Sequence, residues 1–272
     1  MFPANDKCRG PIYNTIYISL EATTAQIRVN SEKTENKGKR SEYRMRVNDR
    51  HLSFYYEEDT DRGEVRIEPE KTALLIIDMQ HIFITRPALD HPTPQELAHA
   101  ERWEPFYQKI DSVVVPNNKR ILEAFRKKHM NVCFARVISH KKDGSDRSLD
   151  QKGTGFNALH VMEGEFLGEI VPDLQPKEDE IVVRKTTDSA ITGTNLRLLL
   201  HNMGIDTVVV TGVLTDQCVS GTVRSLADES FKVWLIEDAC MAATEEIHNH
   251  ELEILNNIYC HVINTEELLA AL

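Results

Sequence analysis

No Cys-x-x-Cys pair occurs among the five cysteines, at positions 8, 133, 218, 240 and 260. Zinc ribbons and thioredoxin-type redox pairs therefore have no support. The odd number and wide spacing suit no disulfide framework. A chain of 272 residues needs none, because it buries roughly 70–75% of its unfolded surface through a core alone. No apolar run approaches the ~20 residues of a membrane-spanning helix. Basic residues are in deficit, 32 against 43 acidic ones for a net charge of −11. That balance argues against nucleic acid or an anionic membrane as partner, since phosphate binding needs a Lys/Arg-rich face. The opening, Met1-Phe2-Pro3-Ala4-Asn5-Asp6-Lys7-Cys8, has no basic-then-apolar segment, and no Asn-x-Ser/Thr acceptor occurs anywhere. The expected location is cytoplasmic, with five free thiols. There is no internal repeat and no low-complexity tract.

What is present divides at about residue 70. Tyr13 to Leu20 (YNTIYISL) and Ala25 to Val29 are rich in β-branched and aromatic residues and predict short strands. Of the twenty residues from Ser31 to Arg50, seven are basic and four acidic, which predicts a solvated loop or a segment that meets a partner or caps a substrate. Leu52 to Tyr56 and Glu64 to Glu68 predict a hairpin around Asp59 to Gly63. Residues 1–70 read as an N-terminal β and loop extension, too poor in apolar residues to fold alone.

Residues 71–272 read as one α/β domain. Thr72 to Ile77 (TALLII) is a continuous apolar run ending at Asp78, as suits a strand buried on both faces. Further strands are predicted at Asn131 to Ile138, Glu180 to Val183, Asp206 to Val213, Lys232 to Ile236 and Tyr259 to Ile263. Helices are predicted at Asp111 to His129, Thr194 to Met203, Gln217 to Glu229, Thr244 to Asn256 and Thr265 to Leu272, with Gly204 a stop signal. Alternating strands and helices imply a parallel sheet covered on both faces. Ligands of such sheets bind outside the carboxyl ends of the strands. Those ends deliver Asp78 and Gln80, Arg136 to His140, Arg184 and Lys185, and Thr215 to Cys218.

Cys218 falls between a strand and a helix, where the helix N-terminus favours a thiolate; alternatively it is a small buried hydrophobe. Asp78 is either a turn cap or, with a pKa raised by burial, a proton shuttle. Lys185 is either a snorkelling surface lysine or a charge partner. None of the three is specific alone. Together, TALLIIDMQ followed by RKTTDSAITGTNLRLLLHNMGIDTVVVTGVLTDQCVSGTVRSLADESFKVWLIEDAC resembles the isochorismatase-like cysteine hydrolases. That superfamily includes nicotinamidases, N-carbamoylsarcosine amidases, biuret hydrolases and ureidoacrylate amidohydrolases. The resemblance covers about residues 65–272 and is strongest from 181 to 240.

It implies a three-layer αβα fold with a six-stranded parallel, Rossmann-like sheet. It also implies a catalytic triad of Asp78, Lys185 and Cys218, and an oxyanion hole at the backbone N–H groups of Leu214 and Cys218. A cis peptide is expected between Val213 and Leu214. The thiolate would attack a small amide or ureide, leave a thioester and release ammonia or an amine. Nicotinamidases carry an Asp-x-His-x-x-His metal cluster after the second strand; here His140 and Asp143 have the wrong spacing, so no metal and no cofactor is expected. Gln80 and Phe83 follow the family's Asp-x-Gln-x-x-Phe pattern. With Trp103 and Tyr107, in a loop from Pro87 to Lys109, and Arg136 they are the pocket candidates. The aromatics equally suit ordinary packing, and Arg136 either a substrate carboxylate or an internal acid. His248 and His250 read as surface, and Cys133 and Cys240 as core. The expected partner is a small-molecule amide or ureide, and the expected assembly a homo-oligomer, dimer or tetramer. The competing readings are a non-catalytic scaffold on the same fold and a metal-dependent nicotinamidase relative.

Overall fold

The computed structural model describes residues 46–272, apart from 154, 156 and 157. The strands expected at 13–20 and 25–29, most of the charged segment and Cys8 lie outside the described residues.

Six parallel strands form one sheet in the order β3-β2-β1-β4-β5-β6. They are β1 (Thr72–Ile77), β2 (Asn131–Val137), β3 (Ile181–Lys185), β4 (Thr207–Val213), β5 (Lys232–Met241) and β6 (His261–Ile263). The helices are α1 (His81–Ile84), α2 (Pro94–Lys109), α3 (Val115–Lys127), α4 (Leu196–Asn202), α5 (Ser220–Asp228), α6 (Glu245–Leu255) and α7 (Thr265–Ala271). No described helix is long and apolar enough to cross a membrane.

β1 shows why the apolar run had no alternation. Its side chains point to both faces in turn, and each face carries a core. Ala73, Leu75 and Ile77 pack with Leu196 and Leu200 of α4, Val223 and Leu226 of α5 and Leu252 of α6. Leu74 and Ile76 pack with Ile121, Leu122 and Phe125 of α3 and Leu268 of α7. The strand order reverses between β1 and β4, which opens the crevice at their carboxyl ends.

Two expectations fail. The hairpin at 52–68 does not form: Phe54–Tyr56 makes a 3₁₀ turn, and Arg46 pairs with Arg62 in an isolated bridge. The aromatic residues there find no sheet edge, and Phe54 and Tyr55 stay exposed. Polar contacts hold the residues just before this segment, 48–51, to the last part of the domain. Asn48 Nδ2 donates to Val262 O at 2.8 Å, Asn256 Nδ2 to Arg50 O and His51 O at 3.1 Å, and Arg50 pairs with Glu237 at 2.8 Å.

The segment expected as a loop from Pro87 to Lys109 contains the sixteen-residue helix α2. Its start is a capping box: Thr93 Oγ1 accepts from Glu96 N, and Glu96 Oε2 accepts from Thr93 N at 2.7 Å, with Pro94 in the first turn. Thr93→Ala is expected to lower stability by about 1 kcal/mol. The urea midpoint should fall while the slope stays unchanged; an unmoved midpoint would show that the cap contributes nothing. A π-helical turn, Ile110–Val114, joins α2 to α3, so α3 begins four residues after the expected start. β5 runs five residues past its expected end. A register shift between Val210 and Gly212 lets it pair again, Gly212 with Cys240 and Val213 with Met241.

Candidate active site

Asp78 sits one residue past β1, Lys185 ends β3, and Cys218 lies in a π-helical turn, Thr215–Val219, between β4 and α5. Lys185 Nζ stands 2.7 Å from Asp78 Oδ2 and donates to Cys218 Sγ at 3.1 Å and to Thr187 O at 3.1 Å. All three side chains are buried, Asp78 and Lys185 completely. Asp78 has φ +51°, a left-handed conformation that costs a non-glycine residue of order 1 kcal/mol or more. Its backbone is held by Asp78 N donating to Ala135 O at 2.9 Å, and the next turn closes with Gln80 N on Asp78 O at 2.7 Å.

The electrostatics follow from two acids and one ammonium sealed from water. Burial raises the Asp78 pKa, against the pull of Lys185. Burial pushes the Cys218 thiol well above its usual range, the Asp78 carboxylate pushes it further, and Lys185 works against both. Burial disfavours the Lys185 charge, but Asp78 and Cys218 outweigh it and its pKa rises. With Lys185 charged, the site accommodates one negative charge, and the remaining proton is shared between carboxyl and thiol. Burial thus opposes the thiolate that the helix N-terminus is expected to favour.

Three side chains that sequence reasoning missed flank the triad. Arg147 is buried and donates to Lys185 O at 3.4 Å and to Gln151 Oε1 at 2.9 Å. Gln151 donates to Asp188 Oδ1, which lies 3.6 Å from Cys218 Sγ. Arg147 and Gln151 belong to the long β2–β3 connection, which has no periodic pattern to reveal them. Only Asp188, three residues past Lys185, had a positional signal.

The pocket candidates divide. Phe83, Trp103 and Tyr107 line a cavity of about 470 Å³ together with Leu89, Leu159 and Leu214, the last expected only as a backbone donor. Gln80 does not. Its side chain is fully buried, with Nε2 donating to Val137 O (3.0 Å) and Gly168 O (2.9 Å) and Oε1 accepting from Val137 N (2.8 Å). Both functions of the amide are spent on tying β1 to β2 and the 168 loop. Arg136 does not line it either, because it pairs with Glu163 and with Glu169 at 3.1 Å, the internal-acid alternative. Val213–Leu214 is a cis peptide. Leu214 O accepts from Gln217 N (3.0 Å) and Val219 N (3.2 Å), which fixes the turn beneath the thiol. Among the described residues no three His, Cys, Asp or Glu stand together in a metal-holding group. Asp143 accepts the Ser145 N–H, and the His140 N–H donates to Asp146.

Cys133, Cys240 and Cys260 are buried apolar thiols, the first pushed up to about 12 by burial. His250 is exposed, but His248 is not a surface residue. Its Nδ1 lies 2.8 Å from Oγ1 of the fully buried Thr215, in the turn that carries Cys218. The signal was present: His248, Leu252 and Leu255 recur at i, i+4 and i+7 on the inward face of α6. Burial, with His51 adding to it, holds the His248 pKa down to about 4. The unfolded ring takes up its proton near pH 6.5, the folded one only near pH 4. The His248 contribution is therefore whole above pH 6.5 and is lost as pH drops toward 4, by about 3 kcal/mol. Urea titrations at pH 7.5 and 4.5 should show this loss in the wild type and most of it gone in His248→Gln. Equal losses in the two proteins would contradict it.

The model of the isochorismatase domain matches residues 72–267. A probable inactive nicotinamidase of Arabidopsis thaliana is 31% identical over 191 residues, 69% of this chain and 89% of that protein. The N-carbamoylsarcosine amidase of an Arthrobacter species is 30% identical over 152 residues, 54% of this chain and 56% of that protein. The crystal structure of an isochorismatase-like hydrolase from Alkaliphilus metalliredigens superposes with a TM-score of 0.55 at 27% identity, over 74% of this chain and 98% of that one.

Proposed function

The chain belongs to the isochorismatase family of hydrolases, and from that premise we propose that it is a cysteine-dependent amidohydrolase acting on small linear amides or ureides. The observation that carries this reading is the contact of Lys185 Nζ with both Asp78, at 2.7 Å, and Cys218, at 3.1 Å, in a buried site. A scaffold has no need to hold an ion pair and a thiol out of water, where each charge costs several kcal/mol of desolvation. The relative named as probably inactive makes the triad contacts, rather than family membership, the basis of the proposal.

The steps follow from the shared proton. Asp78 accepts the Cys218 proton as the sulfur attacks the substrate carbonyl, and Lys185 stays charged between them. The carbonyl oxygen becomes an oxyanion against the N–H groups of Leu214 and Cys218, a contribution of about 3 kcal/mol per donor. Asp78 returns the proton to the departing nitrogen, the C–N bond breaks, and a thioester remains on Cys218. Water then attacks the thioester, giving one proton to Asp78. The C–S bond breaks, the thiol is restored and the acid is released.

The test is ammonia release across a panel of amides and ureides, with quenched samples taken for intact and peptide mass. The expected result is turnover of at least one substrate and an acyl adduct on the peptide bearing Cys218. No turnover across the panel, or turnover with the adduct on another residue, would overturn the proposal.

A further inference from the structure

The cavity beside the Cys218 turn carries information about the substrate that the triad does not. Its apolar walls are Phe83, Leu89, Trp103, Tyr107, Leu159 and Leu214, with Gln95, Glu96 and His99 on one side, and Leu214 leads directly into the turn that carries Cys218. At about 470 Å³ it has the size of a small-molecule site. No Lys or Arg side chain lines it among the described residues. None of the nearby guanidinium groups lines it: Arg86 and Arg136 are held by acids, and Arg147 faces the triad. Arg86 holds Glu104 at 2.9 Å and Asp111 at 2.5 Å and lies 5.2 Å from the centre of the Tyr107 ring. Arg136 is paired with Glu163 and Glu169, and Arg147 is buried against Lys185 O and Gln151. The acid that does line the cavity, Glu96, is anionic and is held by Thr93.

We infer that this cavity takes the apolar, uncharged side group of the substrate, so that the preferred substrates are amides bearing an aliphatic or aromatic substituent and no carboxylate. The inference rests on the amidohydrolase reading. A carboxylate entering here would lose its water and meet no Lys or Arg, only the His99 imidazole on a wall that also carries Glu96, a poor exchange for its hydration. A small polar ureide would leave the aromatic walls facing water. A hydrocarbon chain removes that apolar surface from water, and each methylene buried contributes a three- to fourfold gain, as an order-of-magnitude figure.

The experiment has two arms on the full chain. In the first, kcat/KM of the wild type is measured by ammonia release for acetamide, butyramide, hexanamide and N-carbamoylglycine. The expected rise is about three- to fourfold per methylene, with hexanamide preferred over N-carbamoylglycine by about 100-fold or more. In the second, the same compounds are titrated into Cys218→Ala and followed by indole fluorescence. Of the two tryptophans, Trp103 lines the cavity and Trp234 is buried in the core, so hexanamide should shift the emission and Trp103→Phe should abolish the shift. If Cys218→Ala binds hexanamide but the wild type releases no ammonia from it, the cavity assignment stands and the amidohydrolase reading falls. If N-carbamoylglycine is turned over as well as hexanamide or better, the amidohydrolase reading stands and the cavity assignment falls. Absence of hexanamide binding, or binding that Trp103→Phe leaves visible, also overturns the assignment.

Discussion

Lys185→Met is expected to lower kcat/KM by about 10⁴-fold or more on the best substrate of the panel, an effect of the size seen when one member of a cooperating catalytic set is removed. Among the described residues the ammonium is the cation in contact with both acids of the site, 2.7 Å from Asp78 and 3.1 Å from Cys218. Without it, the Asp78 carboxyl is buried with only Cys218 and Arg147 to favour its charge, and its already raised pKa rises further. A carboxyl that is protonated at rest cannot accept the thiol proton, so the nucleophile is never formed. Removing one partner of a buried pair also costs about 3–5 kcal/mol of stability. That cost depends on pH in a defined sense. A folded pKa above the unfolded one favours the native state at low pH, so the variant should recover toward the wild type as pH falls and lose most at neutral pH. Asp78→Asn combined with Lys185→Met should be less destabilised than the sum of the single changes, because the uncompensated charge is gone. Kinetics within tenfold of the wild type, or additive stabilities, would remove Lys185 from the mechanism.

The parts of this molecule legible in the sequence are those where one physical requirement dominates. TALLII had to be a strand buried on two faces, and it occupies the centre of the sheet, residue for residue as expected. Asp78, Lys185 and Cys218 each stand at or just past the carboxyl end of a strand, and the sheet topology brings three strand ends into one crevice. Side chains whose role depends on a partner from a distant loop were not legible. Gln80 looked like a pocket residue because it follows Asp78, yet its amide is consumed by Val137 and Gly168, and the 168 loop leaves no periodic trace in the sequence. Arg136 was ambiguous for the same reason, since Glu163 and Glu169 lie in that loop. For the thiol, helix position predicts a field that favours ionisation, whereas the burial that opposes it is a tertiary property. α2 and His248 are different cases. The Thr-Pro-x-Glu start of α2 and the i, i+4, i+7 spacing ending on Leu255 were both readable by ordinary rules of helix capping and periodicity.

Gly212→Ala is expected to destabilise the fold by more than about 4 kcal/mol and to abolish soluble expression in most conditions. Gly212 has φ +114°, and a Cβ placed there would lie 2.0 Å from Ile77 O and 2.7 Å from Ile77 N. These atoms are backbone of the central strand, paired with β2 on one side and β4 on the other, so they cannot withdraw as a flexible side chain would. The glycine is what lets β4 lie against the last residue of β1 while shifting register with β5. Asp78 follows Ile77 directly, and Leu214 follows Gly212 by two residues, so the close approach sets the separation between the carboxylate and the Cys218 turn. Gly221→Ala is the matched control. Gly221 lies in α5, has ordinary helical φ, and its added Cβ would come no nearer than 3.5 Å to any atom outside its own helix, at Asp188 Cβ. That change should be neutral or stabilising by up to about 1 kcal/mol. Urea midpoints of the two variants decide the matter. A Gly212→Ala protein with the wild-type midpoint would mean that the β1–β4 contact can relax, and that the triad does not depend on this glycine for its spacing.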